Sequence, residues 1–382
     1  MVPDDRGDPG PPRDRAVIPY GRQAISQEDL DAVADVLRGD WLTQGPAIER
    51  FEEAVAEYVG ARFAVAFSSG TAALHGAAAA AGLGPGDVVV TSPLTFMASA
   101  NCARYVGAEP TVVDIDPATW NIDLDHVPED VAAVVPVHYA GLPVDLSGFD
   151  RGSRVIIEDA AHALGALTPD GPVGNCAHSD MCCFSTHPVK PITTGEGGLV
   201  TTNDEELATR LRRFRSHGII RRPEFGEWFY DITEIGFNYR MTDIQAALGL
   251  SQLARLDEFI RRRNEIALNY RRELADLPVG LPPAARDGYR HGYHLFPVTV
   301  ENRSEVFRSL REHGIGVQVH YVPIHHHPIS SHMGLGVGDL PVCDGLYQRL
   351  LSLPIHPGLS GGELSCVIEA TRRATSDVGG TK

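Results

Sequence analysis

Residues 184–198 read Phe184-Ser-Thr-His-Pro-Val-Lys190-Pro-Ile-Thr-Thr-Gly-Glu-Gly-Gly198, and this stretch decides how the chain around it is interpreted. Its one lysine, Lys190, stands mainly among small, apolar and hydroxylated residues, and three glycines that follow it predict close backbone packing. Loss of hydration in such surroundings favours the neutral amine, which can attack an aldehyde and form a Schiff base. We therefore interpret Lys190 as the attachment point of an aldehyde cofactor. The plain alternative is an ordinary surface lysine.

Apolar strands alternate with helices on both sides of this stretch. Such alternation predicts an α/β fold in which helices cover both faces of a mainly parallel sheet. Farther along, residues 242–274 predict one long helix that bridges to a smaller α+β unit. The predicted strands are 63–67, 88–91, 111–114, 133–137, 155–158, 181–186, 198–202, 295–300 and 315–321, and the predicted helix caps are Ser26 with Asp29 and Asn203 with Glu206.

The length of the chain predicts more than one domain. Residues 1–16, rich in proline, glycine and charge, are expected to form a disordered tail. We expect a large cofactor-binding domain with an N-terminal arm over residues 17–255 and a small C-terminal domain over residues 256–382.

The bulk composition argues against several kinds of partner. A net charge of −17 disfavours nucleic acid and anionic membrane surfaces, so an anionic ligand would need local backbone amides and a few placed cations. No apolar run approaches the length of a membrane span, and we expect no signal peptide. The six cysteines include no Cys-x-x-Cys pair, so we expect reduced thiols in a cytoplasmic protein. Adjacent Cys182 and Cys183 should face opposite sides of a strand.

Two turns that follow predicted strands carry candidate cofactor contacts. Ser69, Gly70 and Thr71 lie where a helix begins, and backbone amides with hydroxyls beside them bind phosphate, although such turns often serve only as helix caps. Phe96 lies just inside the next predicted helix, where its ring could stack on a flat cofactor or simply join the core.

Asp159 ends a predicted strand and precedes His162. A carboxylate at this end of a parallel strand lies where open α/β sheets bind ligands, and helix capping is the alternative. It could keep a pyridine nitrogen protonated, with His162 bracing the carboxylate or a ring hydroxyl. Ser185, five residues before Lys190, could reach a phosphate. A phosphate site, a stacking ring, a strand-end carboxylate and an isolated lysine together predict pyridoxal phosphate (PLP) as the cofactor.

A run of three histidines, His325 to His327, raises the question of a metal. Three adjacent rings on a loop cannot all face one ion, and the sequence offers no carboxylate or cysteine cluster to complete a site. We therefore expect no metal site.

Seven longer runs share a common set of motifs. They are Trp41–Pro46, Ser68–Leu74, Pro136–Gly141, Glu158–Gly165, Phe184–Lys190, Thr194–Gly198 and Gly236–Asp243. Together they resemble the DegT/DnrJ/EryC/StrS group of sugar aminotransferases, which are fold-type I PLP enzymes, over nearly all of residues 17–375. Within the group, residues 187–194 and 316–325 resemble most the enzymes that aminate C4 of a UDP-linked 4-keto-6-deoxy-N-acetylhexosamine in pseudaminic acid type pathways.

The resemblance implies the partners and further site residues. It implies a ping-pong reaction with L-glutamate as amino donor, and a homodimer with shared active sites. Asn238 of the partner subunit would contact the phosphate, with Arg240 nearby. The positions matched to the sugar-nucleotide side of the site are Thr43, Gln44, Tyr139, His320 and His325.

Three alternatives stay open at this point. Another sugar aminotransferase of the group would act on a dTDP-linked 3-keto or 4-keto deoxyhexose. A dehydratase of the same fold would carry a histidine in place of Lys190. A catalytically inactive binding or regulatory protein would keep the fold alone, although the negative charge disfavours a role in binding DNA.

Overall fold

The computed structural model describes residues 17–378, so the tail predicted over residues 1–16 lies outside the described part of the chain. In that part, none of the helices combines the length and hydropathy needed to cross a membrane. The helices are α1 (Gln27–Arg38), α2 (Pro46–Val59), α3 (Gly70–Ala80), α4 (Ala98–Tyr105), α5 (Glu205–Phe214), α6 (Asp243–Leu253), α7 (Leu256–Glu273), α8 (Arg303–Glu312), α9 (Pro341–Arg349) and α10 (Gly361–Val378). The strands are β1 (Phe63–Phe67), β2 (Val88–Thr91), β3 (Glu109–Val112), β4 (Ala133–Val135), β5 (Val155–Asp159), β6 (Leu167–Thr168), β7 (Gly171–Pro172), β8 (Met181–Ser185), β9 (Gly198–Thr202), β10 (Ile219–Arg221), β11 (Tyr230–Ile232), β12 (Val279–Gly280), β13 (Phe296–Val300) and β14 (Leu350–Leu353).

Seven strands form the central sheet, in the order β1-β9-β8-β5-β4-β2-β3. β8, β5, β4, β2 and β3 pair in parallel, whereas β9 pairs antiparallel with both β8 and β1. All strands except β9 therefore run in one direction, which confirms the predicted mainly parallel sheet. Parallel neighbours bring their carboxyl ends to one edge, where ligands bind in such sheets.

Apolar side chains on the two faces of the sheet belong to two separate cores. On β8, Cys182 and Phe184 lie in a core shared with α2, α6 and the start of α7. Met181 and Cys183 lie in a second core, shared with α3, α4 and α5. The prediction that Cys182 and Cys183 face opposite sides is therefore confirmed. Burial on both faces explains why these strands are nearly continuous apolar runs.

α7 connects the central sheet to a smaller unit built on the three-stranded sheet β12-β13-β14. Its first half places Ile260 in the core behind β8, and its second half places Ile266 in the core of the smaller unit. The N-terminal arm also joins this unit, because the Ile18 N–H donates to the Gly314 carbonyl at 2.9 Å. The domain boundary predicted between residues 255 and 256 stays a prediction, and it falls immediately before α7.

The single helix predicted over residues 242–274 is wrong, because α6 and α7 replace it. Arg255, between them, has non-helical backbone angles (φ −107°, ψ 2°). The buried Asp29 carboxylate accepts hydrogen bonds from Ser251 at 2.6 Å and from Gln252 at 2.5 Å, and it lies 3.5 Å from the Arg255 guanidinium. These contacts tie the end of α6 to α1, so the chain turns there instead of continuing straight.

The strand predicted over residues 315–321 is also wrong. Ile315 pairs with Ile18, whereas Gln318 pairs with Ser352. Two different neighbours therefore take the backbone groups of this segment, and neither pairing extends into a ladder.

The helix cap predicted at Asn203 lies one residue too early. Asp204 caps α5 by accepting a hydrogen bond from the Glu206 N–H at 2.7 Å. The Asn203 side chain instead accepts from the Arg62 N–H at 2.9 Å. The capping box predicted at the start of α1 is confirmed.

Candidate active site

Lys190 lies near Asp159 because their strands are neighbours. Asp159 ends β5, and β8 beside it leads into a turn in which the Lys190 N–H donates to the His187 carbonyl at 2.9 Å. Burial lowers the pKa of the Lys190 amine to about 8, while the negative charge of Asp159 acts in the opposite direction. The amine is thus available as a nucleophile near neutral pH.

The scarcity of lysine is a signal that the sequence analysis missed. Lys190 and Lys382 are the only lysines of the chain, so Lys190 is the one lysine among the described residues. Arginine supplies the other long-chain cations. A residue count alone would therefore have singled out Lys190.

Two donors hold the buried carboxylate of Asp159. Its Oδ2 accepts a hydrogen bond from the Ser99 hydroxyl at 2.6 Å, and its Oδ1 accepts from the Ala161 N–H at 3.1 Å. Residues 161–165 form turns, so Asp159 does not cap a helix. Sequence reasoning missed Ser99, which lies in the first turn of α4, and its only signal was a small polar residue three positions after Phe96.

His162 is buried and held by Tyr321. Its Nε2 lies 3.0 Å from the Tyr321 hydroxyl, and its ring centroid lies 4.4 Å from that of His294. Burial, helped by the positive charge of Lys190, lowers the pKa of His162 well below its ordinary value. The ring is therefore neutral at neutral pH. Sequence reasoning missed Tyr321 and His294, which come from segments far from His162 along the chain.

Ser69, Gly70 and Ser185 form a polar corner at the start of α3. The Ser69 hydroxyl accepts a hydrogen bond from the Ala72 N–H at 3.1 Å and so caps the helix. A Cβ placed on Gly70 would lie only 2.9 Å from Ser185 Cβ, so the two residues pack directly together. Thr71 follows in the first turn of the helix. A helix start flanked by hydroxyls offers several donors to a phosphate group.

β9 closes this corner from its other side. A Cβ on Gly198 would lie 2.5 Å from the Ser69 carbonyl oxygen and 2.7 Å from the Gly70 nitrogen. Only glycine fits where two backbones approach so closely. The tight packing predicted for the glycines after Lys190 is therefore confirmed at Gly198 but is wrong at Gly195, where a Cβ would meet nothing within 4 Å and the positive φ of 80° is what favours glycine.

Phe96 lies two residues before α4, not inside a helix as predicted. Its side chain is 62% exposed, and its ring centroid lies 6.2 Å from that of Tyr321. Because Tyr321 also contacts His162, Phe96 belongs to the same group of rings. Its exposed surface is available to a planar ligand.

Tyr139 and His320 occupy different positions relative to Lys190. Tyr139 is buried, and its hydroxyl donates to the His320 carbonyl at 2.5 Å. It therefore holds the backbone of His320 in place. The His320 Nδ1 lies 2.9 Å from the Ser352 hydroxyl. Burial, with a smaller contribution from the charge of Lys190, lowers the pKa of His320 to about 4. His320 thus lies close enough to Lys190 to respond to its charge.

The residues matched to the partner subunit and to the outer side of the site are more exposed. Thr43 and Gln44 are exposed, and Thr43 pairs with Thr242 at the start of α6. Asn238 is exposed as well. The Arg240 Nε is buried and has no hydrogen-bond partner among residues 17–378.

His325 does not present its ring to solvent. The ring is buried, and its Nε2 lies 3.0 Å from the Asp344 carboxylate. No carboxylate lies near the histidine run in sequence, because Asp344 comes from α9, beyond a glycine-rich loop.

Two thiols lie close to the Asp159 carboxylate. Burial raises the pKa of the Cys102 thiol to about 12, and the negative charge of Asp159 adds to this effect. The same two causes raise the pKa of Cys183 well above its ordinary range. Both thiols are therefore protonated at neutral pH.

These residues fit PLP. That cofactor needs an amine for its aldehyde, a carboxylate for its ring nitrogen and a seat for its phosphate, and Lys190, Asp159 and the corner around Ser69 can supply them. The Nδ1 of His162 and the Nε of Arg240 are buried without a partner among the described residues. Unpaired buried polar atoms are rare unless a ligand or water satisfies them.

Comparison with known proteins agrees with this assignment. The model of the family described as DegT/DnrJ/EryC1/StrS aminotransferases matches residues 23–372. A UDP-4-amino-4,6-dideoxy-N-acetyl-beta-L-altrosamine transaminase of Campylobacter jejuni is 37% identical, over 89% of this chain and 93% of its own.

Two solved structures resemble the whole molecule. PseC of Helicobacter pylori, an aminotransferase involved in the biosynthesis of pseudoaminic acid, superposes with a TM-score of 0.89 at 30% identity, covering 94% of this chain and 100% of its own. Spr1654 of Streptococcus pneumoniae, in its PLP form, gives a TM-score of 0.88 at 29% identity, covering 95% of this chain and 99% of its own. These likenesses confirm the predicted fold class, that of fold-type I aminotransferases.

The reactivity of Lys190 should follow the pKa of its amine. Only the neutral amine reacts with an acylating reagent, so in cofactor-free protein the rate should rise with pH and level off above about 8. Peptide mass spectrometry on a Lys382→Arg background, in which Lys190 is the sole lysine, measures this rate. Asp159→Asn removes the charge that favours the ammonium form and should move the midpoint to lower pH. If the acylation rate rose with the pH midpoint of a free lysine, the Lys190 amine would not be dehydrated and its pKa would not be lowered.

Gly198→Ala should weaken PLP binding, because its Cβ would displace the Ser69 carbonyl and the Gly70 nitrogen. We expect destabilisation by about 1–3 kcal/mol, as for other overpacked sites, together with faster loss of the cofactor. Thermal unfolding and titration of cofactor-free protein with PLP measure the two effects. Gly148→Ala is the matched control, because a Cβ at Gly148 meets nothing within 4 Å. Equal behaviour of the two variants would refute the importance of this close approach.

Proposed function

Because the chain belongs to the DegT/DnrJ/EryC1/StrS aminotransferase family, we propose that it transfers an amino group from L-glutamate to the keto carbon of a nucleotide-linked sugar, with PLP held at Lys190. The observation that carries this assignment is the dehydrated amine of Lys190 near the buried carboxylate of Asp159. Both groups follow neighbouring strands at the carboxyl edge of the sheet.

When bound, PLP supplies a ring that accepts electrons from the carbon bearing the amino group. Lys190 moves a proton to and from that carbon through its Nζ, and its pKa of about 8 suits both directions of transfer near neutral pH. Asp159, oriented by the Ser99 hydroxyl, would hold the ring nitrogen and favour its protonated form. Ser69 and Ser185 would bind the phosphate. His162, neutral and held by its neighbours, would brace the ring without adding positive charge.

The sugar that best fits the available observations is a UDP-linked 4-keto-6-deoxy-N-acetylhexosamine, aminated at C4. The Campylobacter jejuni relative supports the choice, because its name refers to a UDP-linked 4-amino-4,6-dideoxy-N-acetyl sugar. His320, close to Lys190, is a candidate contact on the sugar side, whereas the exposed ring of Phe96 is proposed to stack on the cofactor. A dTDP-linked 3-keto or 4-keto deoxyhexose is the second candidate, because other nucleotide sugars need the same chemistry at Lys190.

Two alternatives without amino transfer lose support. A dehydratase of this fold would carry histidine where Lys190 stands. A binding protein without chemistry has no need for a dehydrated lysine near a buried carboxylate, because removing these groups from water costs stability and such perturbed groups cluster at functional sites.

We also propose that the active protein is a homodimer. The hairpin β10–β11 and the segment after it expose large apolar side chains, among them Phe225 (66%), Trp228 (78%) and Ile235 (84%). Large apolar side chains exposed this close together along the chain are typical of an interaction site. Asn238, the residue expected to reach the phosphate bound by the other subunit, follows Ile235 by three residues and is exposed as well. A second copy of the chain bound at this surface would therefore bury the apolar side chains, and the same contact would bring the Asn238 of each subunit to the active site of the other.

A cytoplasmic location suits the cysteine chemistry. All six cysteines lie in the described part of the chain, and none forms a disulfide. Five of them are buried, and free thiols of this kind are typical of proteins in reducing compartments.

Incubation with L-glutamate and a panel of UDP- and dTDP-linked keto-sugars tests the proposed function. We expect the UDP-linked 4-keto-6-deoxy-N-acetylhexosamine to gain an amino group at C4, identified by mass and NMR. Lys190→Ala should lower the rate about 100- to 10,000-fold or more, as loss of an acid–base group does. Lys382→Arg, which removes the other lysine, should leave it unchanged. Product from a dTDP-sugar alone would select the second candidate, and wild-type rates in Lys190→Ala would refute the role of the lysine.

Light scattering on the purified protein should give the mass of a dimer. Trp228→Asp combined with Ile235→Asp should shift the mass towards that of a monomer, because two charges would be buried in the apolar contact. PLP should then bind more weakly. Leu268→Asp is the matched control, since Leu268 is 66% exposed on α7, outside the hairpin. A dimer that tolerates both hairpin charges would place the interface elsewhere.

A further inference from the structure

The Asp344 carboxylate, on α9, lies next to two histidine rings of the turn Ile324–His326, which is hydrogen-bonded to the segment before Phe96. Its Oδ1 is 3.0 Å from the His325 Nε2 and 2.6 Å from the His326 Nε2. The three potential ligand atoms lie within 4.8 Å of one another. The histidines belong to a short 3₁₀ turn, Ile324–His326, whereas Asp344 belongs to the first turn of α9. Two separate elements thus meet at a cluster of two nitrogens and one oxygen.

The dimensions of this cluster suit a small divalent cation. Ligand atoms bound tetrahedrally to zinc at about 2.0–2.2 Å lie roughly 3.3–3.6 Å apart, so the two nitrogen–oxygen spacings need to open by at most about 1 Å. The second carboxylate oxygen is already fixed, because the Asp344 Oδ2 accepts a hydrogen bond from the Gly338 N–H at 2.6 Å. Such outer contacts orient a metal-binding carboxylate.

The protonation of the rings is compatible with a metal. Without an ion, each Nε2 is positioned to donate a hydrogen bond to the Asp344 carboxylate. The His325 Nδ1 is buried and has no hydrogen-bond partner among the described residues, so it is free to carry the proton when Nε2 becomes a ligand. The His326 side chain is 12% exposed, which leaves a route for the ion from solvent.

A second cluster of potential ligands, His138, Glu158 and Cys182, does not offer the same possibility. The His138 Nδ1 accepts a hydrogen bond from the Val144 N–H at 2.9 Å, and its Nε2 lies 2.8 Å from Glu158. Both ring nitrogens are therefore in use. Burial raises the pKa of the Cys182 thiol well above its ordinary range, so a thiolate is not available.

We propose that His325, His326 and Asp344 bind a divalent transition-metal ion of the zinc class. Two imidazoles and one carboxylate form a ligand set typical of zinc, and the net charge of −17 attracts cations to the protein. The ion would cross-link the turn Ile324–His326 to α9. That turn also touches the candidate site, because the Ile324 N–H donates to the Pro93 carbonyl at 2.9 Å, three residues before Phe96. The role of the ion is structural, and it holds no part of the amino-transfer chemistry.

Zinc titration of the tag-free, PLP-loaded protein tests this proposal. After dialysis against a chelator, calorimetry should show one zinc site that is lost, or weakened at least about 10-fold, in His326→Gln and in Asp344→Asn. Zinc should also raise the melting temperature of the wild-type protein but not that of His326→Gln. His326 is partly exposed, so this variant keeps the fold even if Asp344→Asn does not.

Two controls separate this site from other zinc ligands. His332→Gln changes a nearby exposed histidine, and Cys366→Ser removes the one exposed cysteine, so neither should alter zinc binding at the cluster. If the three side chains only form hydrogen bonds with one another, His326→Gln should lower the melting temperature by the same amount with and without zinc. Absence of a zinc site, or a site unchanged in His326→Gln, would overturn the proposal.

Discussion

Dehydration of a single ammonium group is the constraint on which the candidate site depends. Lys190 loses part of its hydration after β8, and the nearby carboxylate of Asp159 offsets only part of the cost. The sheet makes this arrangement possible, because parallel pairing of β5 with β8 brings the two residues to the same edge. β9 then returns antiparallel and brings Gly198 against the start of α3, so that three neighbouring strands, β5, β8 and β9, position the carboxylate, the amine and the phosphate corner.

Much of the fold could be predicted because burial on both faces leaves a direct trace in the sequence. The apolar runs that became β1, β2, β5, β8 and β9 were predicted within about two residues, since little except a buried strand requires them. The failures have a different origin. Whether the chain stays helical through Arg255 depends on Asp29, which is more than two hundred residues away. Whether residues 315–321 pair as a strand depends on Ile18 and Ser352.

The site shows the same division between local and distant causes. Lys190, Asp159 and Ser69 each end or follow a strand, so their positions could be predicted from local pattern. Ser99 and Tyr321 could not, because nothing near them in sequence indicates that they contact Asp159 and His162. Asp344 is a clearer case. The histidine run was visible, but its carboxylate comes from another helix, and only the folded chain brings them together.

The protonated thiols of Cys102 and Cys183 have a consequence for selectivity. Removal of water favours the neutral form of every group, but neutrality makes an amine reactive and a thiol unreactive. A cofactor aldehyde entering this space would therefore meet one competent nucleophile, although sulfur is intrinsically the stronger attacker. A single microenvironment thus discriminates between nitrogen and sulfur without any contact that recognises either element. It also shields these cysteines from the oxidants that would otherwise convert them to sulfenic acids beside the carboxylate.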